Sequence, residues 1–186
     1  MIYIIMGIFA FVLFFLYDIN SILLKNKLLY CCFFAGFILL SAATAGIIIT
    51  SWASIRIDFI RLGIYGGFAF VFFGLLIYTL FFALPFQDTY LDTQAPPKVC
   101  RNGVYALCRH PGVLWFAGFY IFLGLALGIP LLKTAAVLFS LLNLLYVFFQ
   151  DRWTFMKNFN DYGEYKTAAP FLIPNIHSIM NCFKII

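Results

Sequence analysis

Hydrophobic positions in this chain fall in long uninterrupted blocks rather than in a 3.6-residue or two-residue alternation. Five blocks stand out, at residues 2–17, 28–50, 63–85, 112–129 and 131–149. A helix that is apolar on every face is buried in a large core or in lipid, and about 20 such residues cross a bilayer. Blocks 28–50 and 63–85 are uncharged and long enough to cross, whereas block 2–17 is short. Blocks 112–129 and 131–149 are separated only by Pro130, which predicts two helices in a tight hairpin turned at that proline. Lys133, near the start of the last block, can snorkel to the interface. No Lys or Arg precedes the first block and no small-residue cleavage pattern follows it, so it is expected to be a retained helix.

Composition agrees. Hydrophobic residues make up 65% of the 186 residues and charged ones 10%, where a soluble domain has about a quarter charged. The fold class expected is an all-α integral membrane protein with about five transmembrane helices, in one polytopic domain over residues 1–186. Within it, residues 1–85 supply the N-terminal helices, 86–174 a core, and 175–186 a C-terminal tail. Ala42 with Gly46, and Gly63 with Gly67, are four apart and are expected at helix contacts.

The net charge of +5 does not point to nucleic acid, because the basic residues form no dense run. With five spans, one side of the membrane receives Lys25, Lys27, Lys98, Arg101, Arg109, Arg152, Lys157, Lys166 and Lys184, and the other only Arg56, Arg61 and Lys133. That asymmetry predicts an N-terminus outside, with the C-terminal region and residues 86–111 in the cytoplasm. The five cysteines lack the paired spacing of a metal site and read as reduced thiols.

The two long polar stretches, 86–111 and 150–166, fall on the same side. The first offers Lys98, Arg101, Tyr105, Arg109 and His110; the second offers Asp151, Arg152, Asp161, Tyr162, Glu164 and Tyr165. The intervening pair of helices returns the chain to the face it left, which predicts Arg109, His110 and Asp151 as neighbours. Charged groups at that depth are costly unless paired or solvated. Donors on one segment and a carboxylate on the other suit a zwitterionic ligand. An Arg109–Asp151 pair that anchors the two helices accounts for the same residues.

"GVYALCRHPG" at 103–112, the following pair of apolar blocks, and then "DRWTFMKNFNDYGEYKTAAPFLIP" at 151–174 together resemble the isoprenylcysteine carboxyl methyltransferase family and its phospholipid-methyltransferase relatives. The shared pattern is Gly-x-Tyr-x-x-x-Arg-His-Pro, a helical hairpin, an acidic pair and a Tyr-x-x-Tyr…Pro…Ile-Pro ending, over residues 99–174. The resemblance implies a cytosol-facing pocket for S-adenosylmethionine. Pro97, Lys98, Val99 and Cys100 match a segment whose backbone contacts the cofactor, and Tyr105 and His110 match cofactor-contacting positions. Asp151 matches the acidic position that reaches the cofactor's amino group. Arg109 and Arg152 are assigned to the catalytic site, Arg109 by shaping the loop and balancing charge, Arg152 as a stand-in for a substrate-binding Arg. The sulfonium is a cation that Tyr105 or another aromatic ring can face.

The chain departs from that pattern in four places. Arg152 stands at the second acidic position, Asn160 where the family has Gly, Val147 where it has the substrate-binding Arg, and the spacing to the first Tyr is one residue short. Val147 removes the expected partner of a prenylcysteine carboxylate. The implied partners are a lipophilic or prenylated acceptor and membrane lipids, with no nucleic acid. A carboxylate acceptor is already ionised and needs no general base, which suits a chain with no Ser/His/Asp or Cys/His arrangement. The Arg-His-Pro segment and the closing prolines also resemble membrane sterol reductases, which use NADPH. A catalytically degenerate homologue that binds lipid or a partner protein is the third reading.

Overall fold

A computed structural model describes residues 1–55, 58–83 and 99–184 of the protein. Those residues are mostly helical, with no strand among them. In chain order the helices are α1 (Ile2–Ile19), α2 (Cys31–Thr50), α3 (Phe59–Phe81), α4 (Val104–Leu107), α5 (Pro111–Leu127), α6 (Pro130–Phe149), α7 (Phe155–Asn158), α8 (Tyr162–Ala168) and α9 (Ile176–Lys184). Four continuous helical stretches, Ile2–Leu24, Leu28–Thr50, Phe59–Phe81 and Pro130–Asn158, are long and apolar enough to cross a membrane. α5, with 17 residues, is a shorter apolar helix. Large side chains such as Phe34, Phe70 and Phe81 point outward from these helices. In water they would form a continuous apolar surface; in lipid they need no cover.

The first block runs further than its hydropathy suggests. α1 continues past Asp18 into a wide π-turn, Asn20–Leu24, closed by a reciprocal pair. Asn20 Nδ2 donates to the Asn26 carbonyl at 2.9 Å, and the Asn26 N–H donates to Asn20 Oδ1 at 2.9 Å. Asn20 is fully buried, so its polar atoms are spent inside the turn rather than on solvent. The whole stretch is 23 residues long, and the expectation of a short first helix is corrected accordingly. α3 also starts before its apolar block, because the Asp58 carboxylate caps it, accepting from the N–H groups of Ile60 and Arg61.

The link between α5 and α6 differs from the expected proline turn. Gly128 takes a left-handed φ of 67° and ends α5, Ile129 is extended, and Pro130 is already the first residue of α6. Proline's fixed φ and missing N–H suit a helix start, and glycine's freedom suits a helix end. The Arg61 guanidinium packs against Gly128 where a side chain would stand.

α2 packs on α1, α5 packs on both α3 and α6, and α1 reaches α6. The core is centred on Phe139, Leu132 and Ile47, all fully buried. Phe139 lies edge-on to Tyr120 at 5.7 Å and covers Gly7 of α1. The Tyr120 hydroxyl sits 2.7 Å from Thr44 Oγ1 and ties α5 to α2. The small-residue expectations are met in part only. Gly46 receives the Tyr3 ring, but Ala42 faces outward, and no described atom comes within 4 Å of a side chain placed at Gly63 or Gly67. Gly7, Gly36 and Gly118, beneath the rings of Phe139, Phe14 and Phe72, are close-contact glycines that no four-residue spacing marked.

Gly7→Val drives a branched side chain into the buried Phe139 ring, and overpacking of this kind costs about 1–3 kcal/mol. Thermal unfolding of the detergent-purified variant is expected to move down by several degrees, while Gly67→Val, which meets nothing, stays within a degree of the parent.

Candidate functional site

The two polar stretches meet at one end of the α5–α6 pair. On the first, Gly103 adopts φ 59°, ψ −129°, which only glycine takes without strain, and this opens the single turn α4. The chain is then extended through Cys108, the Arg109 N–H donates to the Pro170 carbonyl at 2.9 Å, and Pro111 starts α5. On the second, α6 does not stop at Phe149 but widens into a π-turn, Gln150–Thr154. The extra residue in that turn is accompanied by opposite fates for neighbours: Asp151 is buried, 4% exposed, and Arg152 is exposed. Insertions of this kind re-aim side chains and recur at functional sites.

Asp151 is the centre of the cluster. Its Oδ1 accepts from Arg109 Nε at 2.8 Å, from the Tyr162 hydroxyl at 2.7 Å and from His110 Nε2 at 3.2 Å. Its Oδ2 forms an ion pair with Lys166 Nζ at 3.0 Å. Arg109 is fixed further by its Nη1, which donates to the carbonyls of Lys166 and Ala169 at 3.1 and 2.6 Å. The His110 ring stacks on Phe155 at 5.8 Å and stands edge-on to Phe171 at 5.2 Å. Burial lowers the affinity of His110 for a proton by more than the pull of Asp151 restores, with Arg109 and Lys166 adding repulsion. The imidazole is therefore neutral at pH 7, with Nε2–H as the donor to Asp151. Burial raises the pKa of Tyr162, and the adjacent Asp151 carboxylate raises it further, so its hydroxyl stays protonated and donates. Burial pushes the Cys108 thiol up to about 11, which leaves no thiolate nucleophile there.

Arg109, His110 and Asp151 are thus the neighbours that the topology predicts. Tyr105 stands beside them in sequence but turns to α3, donating its hydroxyl to the Thr79 carbonyl at 3.0 Å, while its own carbonyl accepts from Tyr165 at 2.7 Å. The Val99 N–H donates to Asp161 Oδ1 at 3.1 Å, and Cys100 Sγ lies 3.8 Å from the Ala83 carbonyl. Arg101 bonds Asp161 at 3.0 Å and Glu164 at 3.2 Å, a half-exposed latch between the two polar stretches. Pro97 and Lys98 lie outside the described residues. Arg152 is not in the cluster: its guanidinium lies over the Phe148 ring at 4.7 Å. Val147 is buried in the helix core.

Two charged residues carried no expectation from sequence, one in the cluster and one beside the start of its π-turn. Lys166 read only as one more basic residue, yet its ammonium completes the shell of Asp151. Asp18 fell at the edge of the first block, yet it is buried beside Tyr146 and Gln150. Among the described residues, Asp18 Oδ2 has no hydrogen-bond partner. A buried carboxylate in an apolar helix is the signal that identifies such a position, and block boundaries concealed it.

The fit to a zwitterionic cofactor is conditional. Both Asp151 oxygens already carry donors, and His110 Nε2 is turned to Asp151 rather than outward. An incoming ammonium has to exchange with one of the donors, and Lys166 is the one whose side chain is partly exposed. Comparison with family models, with curated proteins and with solved structures returned no match.

Asp151→Ala leaves the buried Arg109 without its carboxylate and is expected to cost about 3 kcal/mol, as breaking a buried pair does. Because His110 takes up its proton less readily folded than unfolded, unfolded chains bind the extra proton below pH 6.5, the ordinary imidazole value. Stability measured by chemical unfolding therefore falls as pH drops from 6.5 toward 5, and His110→Asn flattens that slope.

Proposed function

We propose that the protein is an integral membrane methyltransferase that uses S-adenosylmethionine and acts on a lipophilic or prenylated acceptor, with a carboxylate oxygen as the favoured nucleophile. One observation carries the reading: the Gly-x-Tyr-x-x-x-Arg-His-Pro segment and the Tyr-x-x-Tyr segment, far apart in sequence, close on a single buried carboxylate, Asp151. Asp151 would hold the cofactor's ammonium, while Arg109, His110 and Tyr162 hold Asp151 through Oδ1. Val99 and Cys100 lie on the segment that the resemblance assigns to backbone contact with the cofactor. The cofactor supplies an electrophilic methyl group on a sulfonium.

A lipophilic acceptor is supported by an apolar groove of about 300 Å³ between α5 and α6, lined among others by Val113, Ala117, Ala136, Leu144 and Leu172. It begins three residues after His110 and one residue after Phe171, whose ring touches His110. An apolar chain lying there would have one end beside the start of α5, next in sequence to His110. In this reading α5 is a fifth, short crossing and pairs with α6 as a hairpin. The N-terminus then lies outside, and the cluster and C-terminal region lie in the cytoplasm.

A second reading, a catalytically degenerate homologue, is favoured by the full shell of donors on Asp151. The placement of Arg152 over Phe148, away from the cluster, supports it too.

Equilibrium binding to the detergent-purified protein separates these readings. Saturable S-adenosylmethionine binding is expected, with loss in Asp151→Ala and His110→Ala, each first confirmed as folded. Binding of NADPH alone moves the assignment to a membrane reductase. Binding of neither leaves the degenerate homologue.

A further inference from the structure

The shell around Asp151 is asymmetric. Three donors converge on Oδ1, and each is locked: Arg109 by two carbonyls, His110 between two Phe rings, Tyr162 by burial. Among the described residues, Oδ2 is held by Lys166 Nζ alone, at 3.0 Å, with the Asp151 carbonyl 3.4 Å from the same nitrogen and the Tyr162 ring 5.9 Å away. A carboxylate oxygen, a carbonyl and an aromatic face form a receptor for a primary ammonium, which brings three N–H donors and a full charge.

Lys166 fills that receptor from outside. Its side chain is 30% exposed, against 9% for Arg109 and 7% for His110. Its stem has four rotatable carbons, so the ammonium reaches water by rotation alone. Its backbone is pinned separately, because the Lys166 carbonyl accepts from Arg109 Nη1. The side chain is therefore free to leave while α8 stays in place.

We propose that Lys166 is a tethered occupant of a primary-ammonium site on Asp151 Oδ2 and is displaced when an ammonium-bearing ligand binds. The proposal rests on the reading that this cluster receives such a ligand, and it adds a competitor built into the chain. Ligand affinity is then set partly by the Lys166–Asp151 contact, and loss of the lysine ammonium tightens binding instead of weakening it.

Two measurements test it. The first needs no cofactor. Lys166→Ala vacates the receptor, so ethylammonium is expected to raise its Tm by about 3 °C more than that of the parent. Tetramethylammonium, which has no N–H and can use only the ring and the charge, is expected to give a much smaller shift. Lys166→Met, which keeps the stem, replaces Lys166→Ala if the smaller side chain does not fold. An equal shift in parent and variant, or none, overturns the proposal. The second compares S-adenosylhomocysteine with its analogue lacking the amino group. Lys166→Met is expected to bind the first about tenfold tighter than the parent does and the second equally. Tighter binding of both compounds, or weaker binding of the first, overturns the proposal. If ethylammonium acts as expected but S-adenosylhomocysteine binds neither protein, the ammonium site stands and the methyltransferase reading falls. If S-adenosylhomocysteine binds parent and variants alike and ethylammonium is without effect, the methyltransferase reading stands and the tethered occupant falls.

Discussion

One carboxylate oxygen, Oδ1 of Asp151, accepts hydrogen bonds from three side chains that belong to separate parts of the chain. In a membrane, apolar contact between helices gains little over contact with lipid, so packing and polar bonds set the arrangement. Polar segments at the helix ends face a sharper constraint, because each buried donor needs an acceptor. Among the described residues, Arg109 and His110 have no other carboxylate within contact, and α8 is brought in by Tyr162 and Lys166. The local order of residues 99–172 follows from that need. Satisfying Asp151 fixes the exit of α6, the start of α5 and the position of α8 together.

The same oxygen decides which charges count. With His110 neutral, two cations, Arg109 and Lys166, face one anion, and the cluster carries an excess positive charge. That balance favours a ligand bearing a carboxylate or phosphate as well as an ammonium. Farther out, Arg101 with Asp161 and Glu164 forms a half-exposed network worth much less per pair, but it spans the same two polar stretches and restrains their separation.

Much of this was legible in the sequence where chemistry is local. The apolar blocks gave away α2, α3, α5 and α6 to within a few residues, and the clustering of Arg109, His110 and Asp151 followed from a return of the chain to its starting face. What stayed hidden depends on backbone irregularity. The extension of α1 past Asp18 is invisible to a hydropathy block, since the polar residues that end the block are satisfied inside the π-turn. The orientation of Asp151 inward and Arg152 outward is a further example, because an ideal helical wheel has no place for an inserted residue. Lys166 was hidden for a different reason. A lysine near the membrane surface reads as a headgroup contact unless its partner is known, and that partner lies 15 residues away.

The π-turn at Gln150–Thr154 gives the site an unusual genetic property. A wide turn differs from an ordinary helical one by a single residue, and one helical residue corresponds to roughly 100° of rotation. Loss of one residue from that short stretch, Asp151 itself excepted, would restore a regular helix and rotate the carboxylate relative to its donors, with no change to any residue that binds it. In a lineage of such chains, the length of this turn is as much a part of the site as the identity of the side chains, and a one-residue deletion is a route to silence it.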